Sequence, residues 1–167
     1  MVSFIPYCTH KFDPPAEQYL AHGMICRGLQ AVLQTGNMTT YPETCAKATA
    51  TFSVLSDTVK MVQATLDDKT TRNRSDLAKL LKQLQAHEKE KLHLTAAHHL
   101  ERIRQRNNNI QYQTSNGEDE SSSLSEDRIS QLLREGVASL QFKINPCVES
   151  INEALDEIRC AILDEED

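Results

Sequence analysis

Tryptophan is absent, and glycine and proline number only five each in 167 residues. All-β folds rely on those two residue types at their many tight turns, so a turn-poor helical chain fits this composition better. No run of 18 apolar residues occurs, so no membrane-spanning helix is expected. The five cysteines (Cys8, Cys26, Cys45, Cys147 and Cys160) are odd in number and include no CxxC pair. That argues against a disulfide framework or a zinc knuckle and for a reducing compartment. The opening MVSFIPYCTHKF lacks the basic start, apolar stretch and cleavage site of a secretory signal. The expected location is therefore intracellular, in the nucleus, the cytoplasm or both.

The length suits a single domain with one core of a few helices. A formal charge of -6 is a moderate acidic excess, and it is unevenly spread. Acids cluster at Glu118–Glu120 and Asp164–Asp167, whereas Lys and Arg gather between Lys69 and Arg106. Asp76, Glu88, Glu90 and Glu101 interrupt that basic region, which weakens it as a duplex-binding surface.

Helical periodicity organises what remains. Residues 1–12 read as an irregular lead-in. Asp13 offers an N-cap and Pro14 suits a first turn, opening a helix from about Pro14 to Gln34 that Gly36-Asn37 ends. Gly23 and Gly28 weaken this helix or permit a close crossing. Thr40 and Glu43 have capping-box spacing for a second helix, with Pro42 in its first turn. Its stripe is Cys45, Ala48, Phe52, Leu55, Val59, Val62 and Leu66, spaced by three and four. Asn73 and Asp76 open a third helix, expected to reach about Arg106. Its apolar face is Leu77, Leu80, Leu81 and Leu84, then Leu92, Leu94, Ala96, Leu100 and Ile103. Between them QAHEKEK (85–91) nearly erases the stripe, as in a helix that projects beyond its neighbour or offers a docking ridge.

Residues 107–123, NNNIQYQTSNGEDESSS, are polar and predict a disordered linker. A last helix over 124–163 follows, with Ser123 and Glu126 at capping-box spacing. Its stripe is Ile129, Leu133, Val137, Leu140, Ile144, Val148, Ile151, Leu155, Ile158 and Ile162. Two successive fours around Ile144 and Val148 form a stutter that contains Pro146, which predicts a kink or break there. The acidic residues 164–167 form a tail. The expected fold is all-α: an antiparallel bundle of about four long, coiled-coil-like helices, with a three-helix core over 13–106. The last helix would pack on that core or on a partner.

Chemistry-bearing patterns are weak. His87, His93, His98 and His99 crowd the third helix, but their spacing does not set a metal-binding pair on one face, and they read as solvated. Glu90-His93 has the Glu-x-x-His spacing without the second such pair that a di-metal bundle needs. Cys26 and Cys45 read as small core fillers. Nucleophile elbows, phosphate-cradling loops and dinucleotide fingerprints are missing. These residues predict a non-enzyme with no catalytic residue, metal, cofactor or small-molecule substrate.

The stretch Leu84-Gln85-Ala86-His87-Glu88-Lys89-Glu90-Lys91-Leu92-His93-Leu94-Thr95-Ala96 resembles the signature of the required-for-excision 1-B domain family. The tyrosine-bearing first helix, the Gly36 turn, Tyr41 and the Phe52 to Leu55-Ser56 region are similar to that family's earlier helices. Ile151–Arg159 resembles its C-terminal helix. The likeness covers about residues 15–105, and more loosely the chain after 125. His87 and Cys160 depart from the pattern, as does the Asn- and Ser-rich stretch. The resemblance implies a part in DNA excision repair and carries over no catalytic residue.

The expected function is thus a helical adaptor or scaffold that acts through a protein partner or a second copy. Ile151, Leu155, Ile158, Ile162, Glu88 and Lys91 are the candidate docking residues. A coiled-coil subunit of a cytoskeletal or trafficking assembly is one alternative. The other is weak direct DNA binding through Lys79, Lys82, Lys89, Lys91, Arg102, Arg104 and Arg106, residues that look spread around the helix.

Overall fold

The computed structural model describes residues 16–68, 74–115 and 120–163, with side chains at 20–68, 74–111 and 127–163. Among them are four helices and no strand: α1 (Ala16–Thr35), α2 (Tyr41–Asp67), α3 (Ser75–Ser115) and α4 (Glu120–Leu163). At 41 and 44 residues, α3 and α4 are rods of about 60 Å or more. Cross-links fix the directions. Tyr41 meets His99, Ser56 meets Gln85 and Leu66 meets Arg74, so α2 runs antiparallel to α3. Asn108 meets Ser130 and Arg74 meets Ala161, so α4 is antiparallel to α3 as well. Helices α1 and α2 pack on each other and on α3, whereas among the described helices α4 packs on α3 alone. The third helix is the spine.

A spine must present two faces, and the spacing of α3 supplies them. Leu77, Leu80, Leu84, His87, Lys91, Leu94, His98, Glu101, Gln105 and Asn108 alternate by three and four and are all wholly or partly buried. This seam is the one α4 covers. Ala78, Leu81, Gln85, Glu88, Leu92, Thr95, His99, Ile103 and Arg106 form the second seam, toward α1 and α2, and are likewise wholly or partly buried. The QAHEKEK stretch is therefore not a bare projection: His87, Glu88 and Lys91 lie half-covered within these seams.

On α4 the register differs by one residue from the predicted stripe at three points, Ala154 standing in the seam in place of Leu155 as well as at the two positions that follow. Ile129 (48% exposed) and Val148 (40% exposed) face out, and the neighbouring Ser130 and Cys147 are buried in their place. The observed line is Ser130, Leu133, Val137, Leu140, Ile144, Cys147, Ile151, Ala154 and Ile158, an unbroken three-four alternation. Choosing the buried cysteine over the exposed valine removes the stutter. The expected break at Pro146 is also corrected, because α4 is one helix from Glu120 to Leu163 with the proline inside it. Pro146 lies on the exposed side, beside the buried Cys147. The seam on both sides of the proline holds the rod together although one backbone donor is missing.

The polar run after Arg106 is helical through Ser115, and α4 begins at Glu120, earlier than expected. Composition alone predicts loop there, but tertiary bonds hold the helix. The Arg106 Nε–H donates to the Leu33 carbonyl (2.8 Å) and the Asn108 amide donates to the Ser130 hydroxyl (3.0 Å). Residues 1–12, Asp13, Pro14, Asn73 and 164–167 lie outside the described residues, as do the side chains of Ser123 and Glu126.

The α1–α2 turn is built as Gly36 suggests, with φ at +78° and its N–H on the Val32 carbonyl (2.8 Å). Asn37 then accepts the Thr39 N–H in an Asx turn (2.9 Å). The capping box does not form: Thr40 makes no side-chain cap, and Glu43 pairs with Lys47 (2.8 Å) instead. Thr40 sits in a helical conformation, where its hydroxyl is not aimed at the free N–H groups. Of the two glycines in α1, Gly28 does permit a close crossing, since a Cβ there would stand 3.1 Å from the Tyr41 ring. A Cβ at Gly23 would meet only Arg27 of its own helix.

A Cβ at Gly36 would stand 2.6 Å from the Arg106 guanidinium, in a backbone region that L side chains avoid. Gly36→Ala is expected to cost about 1–2 kcal/mol from backbone strain alone, and more where Arg106 is displaced. Urea unfolding followed by circular dichroism checks this, and an unchanged midpoint would contradict it.

Candidate functional site

Two small clusters pin α1 to α2. Ala21, Ile25 and Ala48 pack with Phe52, while Leu29, Val32, Tyr41 and Ile103 pack with Leu33 and Cys45. At the edge of the second lies a polar joint. The Tyr41 hydroxyl and His99 Nδ1 are 2.8 Å apart and buried. Burial, and then the neighbouring His98, His22 and Arg102, lowers the His99 pKa to about 4. Burial, and then the Cys45 thiol beside it, raises that of Tyr41. Both groups are therefore neutral at pH 7 and share one hydrogen bond between the Tyr41 hydroxyl and His99 Nδ1. His99 is thus not the solvated surface histidine expected from spacing. Tyr41, 58 positions away in sequence, is what makes its burial tolerable.

Next to this joint, His22 Nε2 lies 3.5 Å from Cys26 Sγ, one turn apart on α1. A cysteine beside a histidine invites a nucleophilic reading, but the environment opposes it. Burial raises the Cys26 pKa and lowers that of His22, so the neutral thiol and neutral imidazole are favoured over a thiolate–imidazolium pair. Cys26 is also exposed rather than a core filler. Among the described residues no three His, Cys, Asp or Glu side chains could hold a metal ion. The depression between α3 and α4 lined by His87, Glu90, Leu94, Phe142, Cys147 and Ser150 is shallow and open.

The expected docking residues do not form one patch. Ile151 (5% exposed) and Ile158 (2%) are buried within the chain in the α3–α4 seam, and Leu155 and Ile162 are partly covered at its flank. Glu88 and Lys91 form a half-buried ion pair of 2.9 Å beside His22. A partner reaching Ile151 or Ile158 would have to displace α3.

The structure also sorts the basic residues of α3. Lys91 pairs with Glu88, Arg104 with Glu101, and Arg106 with the Leu33 carbonyl. Lys79, Lys82, Lys89 and Arg102 remain, and the three lysines are aligned: with Ala86 and His93 they form one exposed line spaced by three and four. The sequence reading of scattered cations is corrected for these three.

The observation that sequence reasoning missed is an imbalance in the α3–α4 seam. Cys147, Ile151, Ala154 and Ile158 are buried against the leucine-rich start of α3, whereas Leu133, Val137, Leu140 and Ile144 are only half-buried. Their half of α3 offers His87, Lys91, His98, Glu101 and Gln105, with Leu94 the one large apolar side chain in that stretch of the seam. Around the same half of α4, Ile129, Leu132 (58%) and Phe142 (77%) are exposed. Heptad numbering of α3 against α4 exposes this contrast, but only once α4 is known to pair with that face.

The fold defines an all-α protein of antiparallel helices ordered on a central spine, and no described helix is long and apolar enough to cross a membrane. Residues 17–102, about half of the chain, match the family DNA repair REX1-B, and the chain belongs to that family. The match covers α1, α2 and α3 to Arg102, with the Tyr41–His99 joint inside it and α4 beyond it. Neither a curated protein nor a solved structure matches the chain.

Proposed function

We propose that the chain is a non-enzymatic helical adaptor that serves DNA excision repair through protein–protein contact, in the nucleus, the cytoplasm or both. Membership of the family supports that process. One observation supports the mode: the amino-terminal half of α4 carries apolar side chains in excess of what α3 can cover. Leu132 and Phe142 stand open to solvent, and Leu133 to Ile144 rest on polar groups. An aromatic and a leucine exposed on one rigid helix suit the anchors of a protein interface.

The test is removal of ultraviolet photoproducts in cells lacking the chain. Slowed removal is expected, restored by the natural sequence but not by Leu132→Asp/Phe142→Asp, whose helicity should be unchanged because both side chains are exposed. Removal at the normal rate in the deficient cells would refute the repair role, and full rescue by the double variant would refute this surface.

The exposed line Lys79, Lys82 and Lys89 supports a second reading, weak direct contact with nucleic acid. Three phosphate contacts would give a slope of roughly -3 in log affinity against log salt. Absence of binding at low salt would exclude it.

A further inference from the structure

Helix α2 is covered unevenly. Its first half lies under α1, which reaches Phe52, while α3 holds the side bearing Leu55, Val59 and Leu66. The opposite side of the second half faces solvent, and its composition is unusual for a surface. Thr51, Val54, Thr58, Met61 and Thr65 follow one another by three and four, forming a coiled-coil stripe without a charge. Val54 is 67% exposed and Met61 73%. The threonines do not make the stripe polar. Their hydroxyls donate to the carbonyls one turn back, Thr51 to Lys47 (3.2 Å), Thr58 to Val54 (3.0 Å) and Thr65 to Met61 (3.0 Å). With those hydrogens turned to the backbone, the methyl groups are left for contact.

We propose that this stripe is a dimer interface in which α2 packs antiparallel against α2 of a second copy of this chain. Self-complementarity points to that occupant. Antiparallel heptads set one core position opposite the other, so a two-fold axis between Thr58 and Met61 places each Met61 on the partner copy's Thr58. It also places each Val54 on the partner copy's Thr65. Large side chains meet small ones from Val54 to Thr65, which lets the helices approach closely there. The charges agree with the same axis. Asp57 and Lys60, the charged pair beside the stripe, bond within the helix at 2.9 Å and are both more than half exposed. The two-fold brings each aspartate to within about a turn of the other copy's lysine on the same flank, so opposite signs meet on either side of the axis.

Sedimentation of the full chain tests the proposal. A monomer–dimer equilibrium with a Kd on the order of 10 µM is expected. Val54→Asp and Met61→Asp, each at an exposed site, should give monomers at about 100 µM with unchanged helical circular dichroism. Asp57→Lys should weaken the dimer about tenfold, and Asp57→Lys with Lys60→Asp should restore it. A monomer at every concentration would overturn the proposal. If Met61→Asp then also lowered its melting temperature, the stripe would be covered within its own chain. A dimer that survives both aspartate variants would overturn it as well. None of these outcomes bears on photoproduct removal, so this interface and the repair reading fail separately.

Discussion

Lowering the pH from 7 to 4 is expected to remove about 3 kcal/mol of stability through His99 alone. The sign follows from its burial. The folded pKa of about 4 lies below the ordinary value of 6.5, so the fold prefers the neutral ring. That preference is fully present above pH 6.5 and is lost as the pH falls toward 4, where the unfolded chain binds a proton that the folded chain resists. At 1.36 kcal/mol per unit, the shift amounts to roughly 3 kcal/mol. His22 and His98 are depressed in the same direction by burial and add to the effect. His99→Gln isolates the contribution, because glutamine accepts the Tyr41 hydroxyl and does not titrate. Chemical denaturation at several pH values should show a shallower acid slope for the variant. Equal slopes for the two proteins would assign the acid sensitivity elsewhere.

The second large effect separates the two halves of α4. Ile158 is 2% exposed in the leucine-lined part of the seam. Ile158→Ala should cost about 3 kcal/mol, the sum of lost transfer energy and the cavity left behind. Leu140, half-buried where α3 is polar, should cost about 1 kcal/mol when changed to alanine, since less apolar surface returns to water. Denaturant midpoints at equal slope measure both. Comparable losses at the two sites would mean that the seam is equally tight along its length.

Much of this architecture was legible in the residues. The four helices, the Gly36 turn and the stripe of α2 follow from periodicity and turn chemistry, with Val62 the exception at 48% exposure. Failures occurred where tertiary partners outweigh local preference. Asn107–Ser115 is polar enough to read as loop, yet bonds from Arg106 and Asn108 to neighbouring helices hold its start. Pro146 signals a break, yet it faces away from a seam that continues on both sides. Hydrophobicity alone favours Ile129 and Val148 over the adjacent Ser130 and Cys147, which are the residues that are buried. Burial followed the exact heptad, not the greater hydrophobicity. The Tyr41–His99 joint had no signature, since two single residues 58 apart carry no spacing rule. The unpaired half of α4 was hidden for a related reason: each helix looks amphipathic by itself, and the mismatch exists only in the pairing.

That α4 packs on α3 alone bears on how damage spreads through the molecule. Among the described residues no contact joins α4 to α1 or α2, so strain between them passes through α3. The costs of Val32→Ala on one side and Ile158→Ala on the other should therefore sum without a coupling term. Amide exchange should likewise divide the chain into two opening units of different protection, both hinged on the same central rod.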